Sequence, residues 1–415
     1  MATTPTQESI RASRTLEMTD TTSRFRLLLF RSLAVFLGCA LVTALLETAL
    51  LGYEHVTGKT LRAQLLRYNN CFESDETLGF RLRAGCTGIC LTDEFQYHTR
   101  VNSLHMRDLS DSAHLEPQTA GKPIILALGD SFTFGTGVEL EQTFLALTEK
   151  RLDAIILKAG VPGYNIHQYD RYVRLNALSL NPSVVLVNLF TANDLAADIA
   201  RLEVTHDGYL AESYRDEVAT SLFMRLNRWS FNHSALFRFL KSRGVDFHLI
   251  GRLLESLGDR ASTAENLGIS APPVELLRRV PNDEQQVDTL YFSVERALLR
   301  MESFLAQNGV QLVVNLVPFR MQIEPWILRR VVRDVDESDY DRQNIHKRLI
   351  EILGRHDIPF IDASAAFIDY YRKHKRSLYW RLDGHFNQAG NRLMAEVLVT
   401  EIPRLTQSVN GSAVD

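Results

Sequence analysis

The sequence predicts an α/β protein: a three-layer α/β/α domain around a mainly parallel five-stranded sheet, with a helical insertion and an N-terminal transmembrane helix. Three observations predict it. From Gly121 onward, short apolar runs rich in β-branched residues alternate with amphipathic stretches, as strands and crossover helices of a parallel sheet do. One stretch, residues 195–282, breaks that alternation. Near the N-terminus, apolar residues run long enough to cross a bilayer.

Five strands are expected, at Ile124–Leu128, Ala154–Leu157, Val184–Leu189, Val310–Val317 and Ile358–Ile361. All are mostly apolar, which suits strands buried on both faces. Val287, Leu290, Tyr291, Val294, Leu298, Met301 and Leu305 recur at steps of three or four and predict a helix that ends at Asn308-Gly309. Within 195–282 the cleanest helix is Ser234 to Arg243, stopped by Gly244, and a polar loop surrounds Ala261–Pro273. Residues 54–120 read as an irregular linker and small cap. The organisation is then a tail (1–24), an anchor (25–53), the linker and cap (54–120), the α/β domain (121–405) with its insertion, and a flexible tail (406–415).

In the anchor, Leu27–Leu46 reaches spanning length if Arg31 snorkels to one interface, and Ser32–Tyr53 does so if Glu47 reaches the other. Arg11, Arg14 and Arg24 precede the span, so the positive-inside rule puts residues 1–24 in the cytoplasm and the α/β domain outside it. No small-x-small cleavage site follows the apolar run, and Phe36-Leu37-Gly38 is a poor lipoprotein signal for Cys39. The expected location is a single-pass cell (inner) membrane with the domain on the periplasmic, or extracytoplasmic, side. In such an oxidising space Cys71, Cys86 and Cys90 allow one disulfide and one leftover thiol, with Cys86-Thr87-Gly88-Ile89-Cys90 able to close a small loop; buried unpaired thiols are the other reading.

Composition narrows the function. The chain has 415 residues, 45% hydrophobic and 23% charged, with a formal net charge of −4. That is an ordinary folded protein without the basic surplus of a nucleic-acid binder. No repeat of 20–50 residues is visible, no metal-ligand cluster or nucleotide-binding glycine pattern appears, and no cofactor or metal is expected.

Four short blocks carry the chemistry, each just after an expected strand. Gly129-Asp130-Ser131 follows the first and presents a hydroxyl where parallel sheets place their ligands. Lys158-Ala159-Gly160-Val161-Pro162-Gly163 follows the second and can aim a backbone N–H at a developing oxyanion. Thr191-Ala192-Asn193-Asp194 follows the third, with an amide as a second donor. Asp383-Gly384-His385-Phe386-Asn387 follows the last and supplies an imidazole with a carboxylate two residues away. Singly, each is an ordinary turn; together they share one sheet edge.

In that order the blocks resemble the GDSL, or SGNH, hydrolase superfamily, over roughly residues 121–402 with the insertion unmatched. The resemblance implies a flavodoxin-like SGNH fold, with Ser131 as nucleophile, His385 as base and Asp383 as its acid partner. It further implies an oxyanion hole from Ser131, Gly163 (Gly160 being the alternative) and Asn193. Two departures mark a divergent branch: the spacing is Asp-x-His rather than Asp-x-x-His, and Phe132 stands where many relatives carry Leu. The shorter spacing is similar to that of membrane-associated polysaccharide O-acetylation proteins of the alginate acetyltransferase type.

The implied activity is serine esterase or O-acyltransferase chemistry on an acyl-ester or acetylated cell-envelope glycan. The alternative is a non-catalytic scaffold that binds glycan or protein partners at the membrane. His167, Arg320, Met321 and Arg381 are further positions able to face the site; the other readings are a surface-helix histidine for His167, core or rim for Arg320 and Met321, and a plain exposed arginine for Arg381.

Overall fold

The computed structural model describes residues 7–57, 71–92, 94–109, 121–195, 201–204, 210–213, 234–242, 271–332, 336–381 and 383–410. The chain divides into two compact units, residues 1–62 with 220–259, and residues 63–219 with 260–415.

The second unit is built on a parallel sheet ordered β11-β10-β7-β5-β6. Its strands are β5 (Ile124–Gly129), β6 (Ile155–Gly160), β7 (Val184–Phe190), β10 (Gln311–Val317) and β11 (Phe360–Asp362). Each expected strand overlaps its observed one, four with both ends within two residues, while β6 runs three residues past the expected end at Leu157. Successive residues point to opposite faces, so every strand feeds two cores. Leu126, Leu128, Val185, Val187, Val314 and Leu316 pack on one side against Val294, Leu298 and Met301 of the helix Glu284–Gln307. Ile125, Ala127, Leu186 and Val313 pack on the other against Phe367, Met394 and Leu398. Both faces are covered, which gives the three layers.

The chain leaves β5 for the edge strand β6 on one side and then crosses to β7, the middle strand, on the other. The connection after β5 (Phe144, Leu145) packs on one face of the sheet and that after β6 (Ile166, Tyr169) on the other, so they diverge at the carboxyl ends of these strands, the switch point where such sheets place ligands.

Residues 54–120 are expected from the sequence to form an irregular linker and small cap. Their described part holds two antiparallel hairpins, β1 (Phe72–Asp75) with β2 (Gly79–Leu82), and β3 (Thr87–Leu91) with β4 (Gln96–Arg100). Phe72, Phe80, Tyr97 and Met106 are buried in the same core as β5 and β6. The disulfide joins Cys71 to Cys86, not Cys86 to Cys90. The reason is geometric: four steps along an extended strand span about 13 Å, whereas bridged Cα atoms lie within about 7 Å. The Cys71 and Cys86 Cα atoms are 5.6 Å apart. Cys90 keeps a buried thiol outside any disulfide, and burial pushes it up to about 11.

The inserted stretch contributes a short antiparallel hairpin, β8 (Arg201–Val204) with β9 (Leu210–Ser213); most of it, including residues 261–270 of the expected polar loop, lies outside the described residues. The C-terminal helix continues to Asn410, beyond the expected start of a flexible tail, and residues 411–415 lie outside the described residues.

The first unit contains the helix Gln7–Thr57, of which Leu29–Tyr53 is long and apolar enough to cross a membrane. Its one acidic residue there, Glu47, accepts hydrogen bonds from the Ser234 hydroxyl (2.8 Å) and the Leu236 N–H (2.9 Å), capping the helix Ala235–Ser242.

Candidate active site

Ser131 opens a one-turn helix, Ser131–Phe134, at the end of β5. Two glycines allow the close approach: a Cβ on Gly129 would fall 1.9 Å from Thr133 Oγ1, and one on Gly160 would fall 2.4 Å from the Phe134 nitrogen. Gly160 thus serves packing, while Gly163, three residues on, has φ +87°, a conformation that favours glycine.

The C-terminal block reaches the same switch point. His385 Nε2 lies 2.7 Å from Ser131 Oγ, and both residues are buried. On the other side of the ring, His385 Nδ1 hydrogen-bonds to Asp383 Oδ1. The same oxygen accepts the His385 backbone N–H at 3.2 Å. Between them Gly384 has φ +87° and lets the chain fold back within three residues. The one-residue spacing therefore still brings carboxylate, imidazole and hydroxyl into line.

Asn193 approaches from the end of β7, its Nδ2 donating to Asp130 Oδ2 at 3.4 Å. An amide carries two N–H donors, so one remains for a ligand. Asp130, which sequence reasoning treated only as part of a turn, is a hub. It accepts the Phe132 N–H at 2.9 Å, lies 3.4 Å from Ser131 Oγ, and is fully buried. Burial pushes its carboxyl up to about 6, against the opposing pull of the Phe132 N–H and the charge of His385. Asp194 is pushed far above the ordinary carboxylate range by burial and by the charge of Asp130. It accepts the Phe190 N–H and the Tyr169 hydroxyl, so it anchors the Asn193 turn. Both acids stood in quoted blocks; the signal was an acidic residue beside each site residue at a strand end.

Phe132 stacks on Phe190 with centroids 4.0 Å apart and tilts against the His385 ring at 4.8 Å, forming an aromatic wall at the imidazole. The remaining candidates do other work. His167 Nε2 meets Ser293 Oγ at 3.3 Å, and burial lowers its ring below the ordinary histidine value. Met321 is core. Arg320 donates to the carbonyls of Trp380 and Arg381, and Arg381 is exposed. No group of three metal-ligating side chains occurs among the described residues.

A model of the GDSL-like lipase/acylhydrolase family matches residues 127–393, well over half of the chain. The chain belongs to that family. The GDSL-like match spans all four blocks. No curated protein matches the chain. Among solved structures it is similar to TesA (10% identity, 68% of this chain and 99% of that one, TM-score 0.35). It is likewise similar to a member of the lipolytic G-D-S-L family from Veillonella parvula (12% identity, 68% and 98%, TM-score 0.36). A third is the acetyl xylan esterase AlAXEase (14% identity, 66% and 97%, TM-score 0.35). The GDSL-like family and its fold support ester hydrolysis.

Proposed function

We propose that this GDSL-family protein is a serine-dependent acyl-ester hydrolase or O-acyltransferase that works through an acyl-serine intermediate. The observation that carries the reading is the 2.7 Å approach of His385 Nε2 to Ser131 Oγ, with Asp383 on the opposite ring nitrogen. A serine hydroxyl needs a base to attack at neutral pH, and the base needs a fixed tautomer. Ser131 Oγ attacks the ester carbonyl as His385 takes its proton. The N–H groups of Ser131 and Gly163 and the Asn193 amide hold the oxyanion. His385 then protonates the leaving alcohol. Water, or a sugar hydroxyl in a transferase, releases the acyl group with His385 again as base.

The test is Ser131→Ala in the full-length protein: turnover of p-nitrophenyl acetate is lost with folding unchanged, and a fluorophosphonate probe labels the wild type at Ser131 alone. Retained turnover would refute the assignment, and an inert serine would favour a binding scaffold instead.

The same proposal places the domain outside the cytoplasm, held by a membrane-spanning Leu29–Tyr53, and assigns it cell-envelope glycans as acetyl donors or acceptors. The length and apolarity of that helix support the anchor. Basic residues before it support the orientation. The Cys71–Cys86 disulfide supports an oxidising compartment. The short Asp-x-His spacing supports the acetylation branch. An acetyl donor offered with and without oligosaccharide separates the two outcomes: labelled glycan marks a transferase, unchanged acetate release an esterase. Protease shaving of intact spheroplasts tests the orientation.

A further inference from the structure

The loop that bears Asp383 and His385 is closed by its own backbone, Trp380 N–H to His385 O at 2.8 Å and Gly384 N–H to Trp380 O at 3.1 Å. Two ionic side chains grip it from outside. Arg320 Nη1 donates to the carbonyl of Arg381 at 2.7 Å, and the Arg320 guanidinium is itself paired with buried Glu324. From the opposite polarity, Glu94 accepts the backbone N–H of Arg381 at 2.7 Å and that of Asp383 at 2.9 Å, one on each carboxylate oxygen.

Glu94 belongs to no motif. It sits at the tip of the β3–β4 hairpin, where Thr92 Oγ1 accepts its N–H at 3.2 Å and that of Phe95 at 3.1 Å. Phe95 packs its ring on Trp380, centroids 5.5 Å apart, beside the same loop. The rest of the two-hairpin module is fastened to the other site loops. Buried Arg107 donates to the carbonyls of Phe134, Gly135 and Val138 behind Ser131, and Tyr164 donates its hydroxyl to the Phe80 carbonyl.

We infer that Glu94 is a positioning residue for catalysis: its carboxylate fixes the backbone of Arg381 and Asp383 so that the Asp383 side chain stays aimed at His385. The inference rests on the proposed Ser131–His385–Asp383 chemistry. Charge-assisted bonds to backbone N–H groups are shorter and stronger than neutral ones, and two of them on alternate residues remove the freedom of the peptide that carries Asp383. A displacement of about 1 Å in a reacting constellation can cost on the order of 100-fold in rate. The short Asp-x-His turn has one residue fewer to hold its own shape, and Glu94 supplies the restraint from outside.

The experiment uses full-length protein in detergent, with p-nitrophenyl acetate as the probe substrate. Glu94→Gln keeps the side-chain size but sets an NH2 donor against one of the two N–H groups. It is expected to lower kcat at least tenfold with KM within twofold, and Glu94→Ala to do the same or more. Glu94→Asp, which keeps two acceptor oxygens, recovers more of kcat than Glu94→Gln. Glu73→Gln, on β1 of the same module and paired with Arg81, leaves kcat unchanged. A Glu94→Gln kcat within twofold of wild type overturns the inference, as does a fall in kcat matched by an equal fall in the fraction of folded protein. Ser131→Ala runs in parallel: activity that survives it refutes the functional reading itself, whereas activity lost with Ser131→Ala and kept in Glu94→Gln refutes only the role of Glu94.

Discussion

Asp383 Oδ1 receives both the ring Nδ1 and the backbone N–H of His385, two residues along the chain. One oxygen thus sets the position of the histidine backbone and the orientation of its ring together. A longer Asp-x-x-His spacing is not needed for this, because Gly384 folds the chain back at positive φ.

The turn should therefore be sensitive to a methyl group. A Cβ on Gly384 meets nothing within 4 Å, so the cost of Gly384→Ala is conformational and not steric. Holding a non-glycine residue at positive φ costs about 1–2 kcal/mol. We expect Gly384→Ala to lower kcat about tenfold and Gly384→Asn, which tolerates this conformation better, to lower it less. Steady-state kinetics on both variants decide the matter.

Asn193→Ala removes the amide proposed as an oxyanion donor. Such a loss typically costs about 2.7–4 kcal/mol of barrier, or 100- to 1,000-fold in kcat. KM should change little. A small effect on kcat with a large one on KM would assign the amide to ground-state binding.

Asp130 makes stability pH-dependent. Its folded value of about 6 lies above the ordinary 3.8, so the native state holds this proton more tightly than the unfolded chain. Its contribution is fully present below about pH 4 and is lost as pH rises through about 6, by roughly 3 kcal/mol in all. Calorimetric melting from pH 4 to 7 should show Asp130→Asn with a flatter profile over that window. The Asp194 carboxyl is raised in the same sense, first by burial and then by the charge of Asp130, so its share of the slope is reduced but not abolished in Asp130→Asn.

Opening the Cys71–Cys86 bridge removes a covalent tie within the two-hairpin module. The bonded residues are 15 apart in sequence, and a loop of that size is worth about 3 kcal/mol. The double variant Cys71→Ser, Cys86→Ser should lose about that much unfolding free energy and melt at a lower temperature, and wild type under reductant should follow it.

The sheet was legible because its strands are buried on both faces and so read as continuous apolar runs, and because the helix Glu284–Gln307 carries its buried stripe at steps of three and four. The first three blocks follow β5, β6 and β7 directly, whereas the Asp383–His385 block comes 21 residues after β11, beyond the helix Ser364–His374, and was legible only from its own Asp-x-His pattern. The module at 71–108 was not. Its strands are four or five residues long, and β4 alternates buried with exposed positions, so no long apolar run announces it. Glu94 meets partners 287 and 289 residues away, and in the sequence it is one more polar residue in a turn. The cysteine spacing pointed to the nearest pair, whereas an extended strand holds that pair apart. Asp130 and Asp194 read as turn formers because burial, which gives them their character, is a property of the folded chain.

The hydroxyl proposed as nucleophile and its imidazole partner are separated by 254 positions in the chain. At roughly 5–20 residues per second of synthesis, the ribosome delivers the serine roughly 13–50 s before the histidine. During that interval the emerging polypeptide carries a silent nucleophile, and any product truncated before the final loop stays silent. On the proposed chemistry, catalytic competence waits for the loop that carries Asp383 and His385.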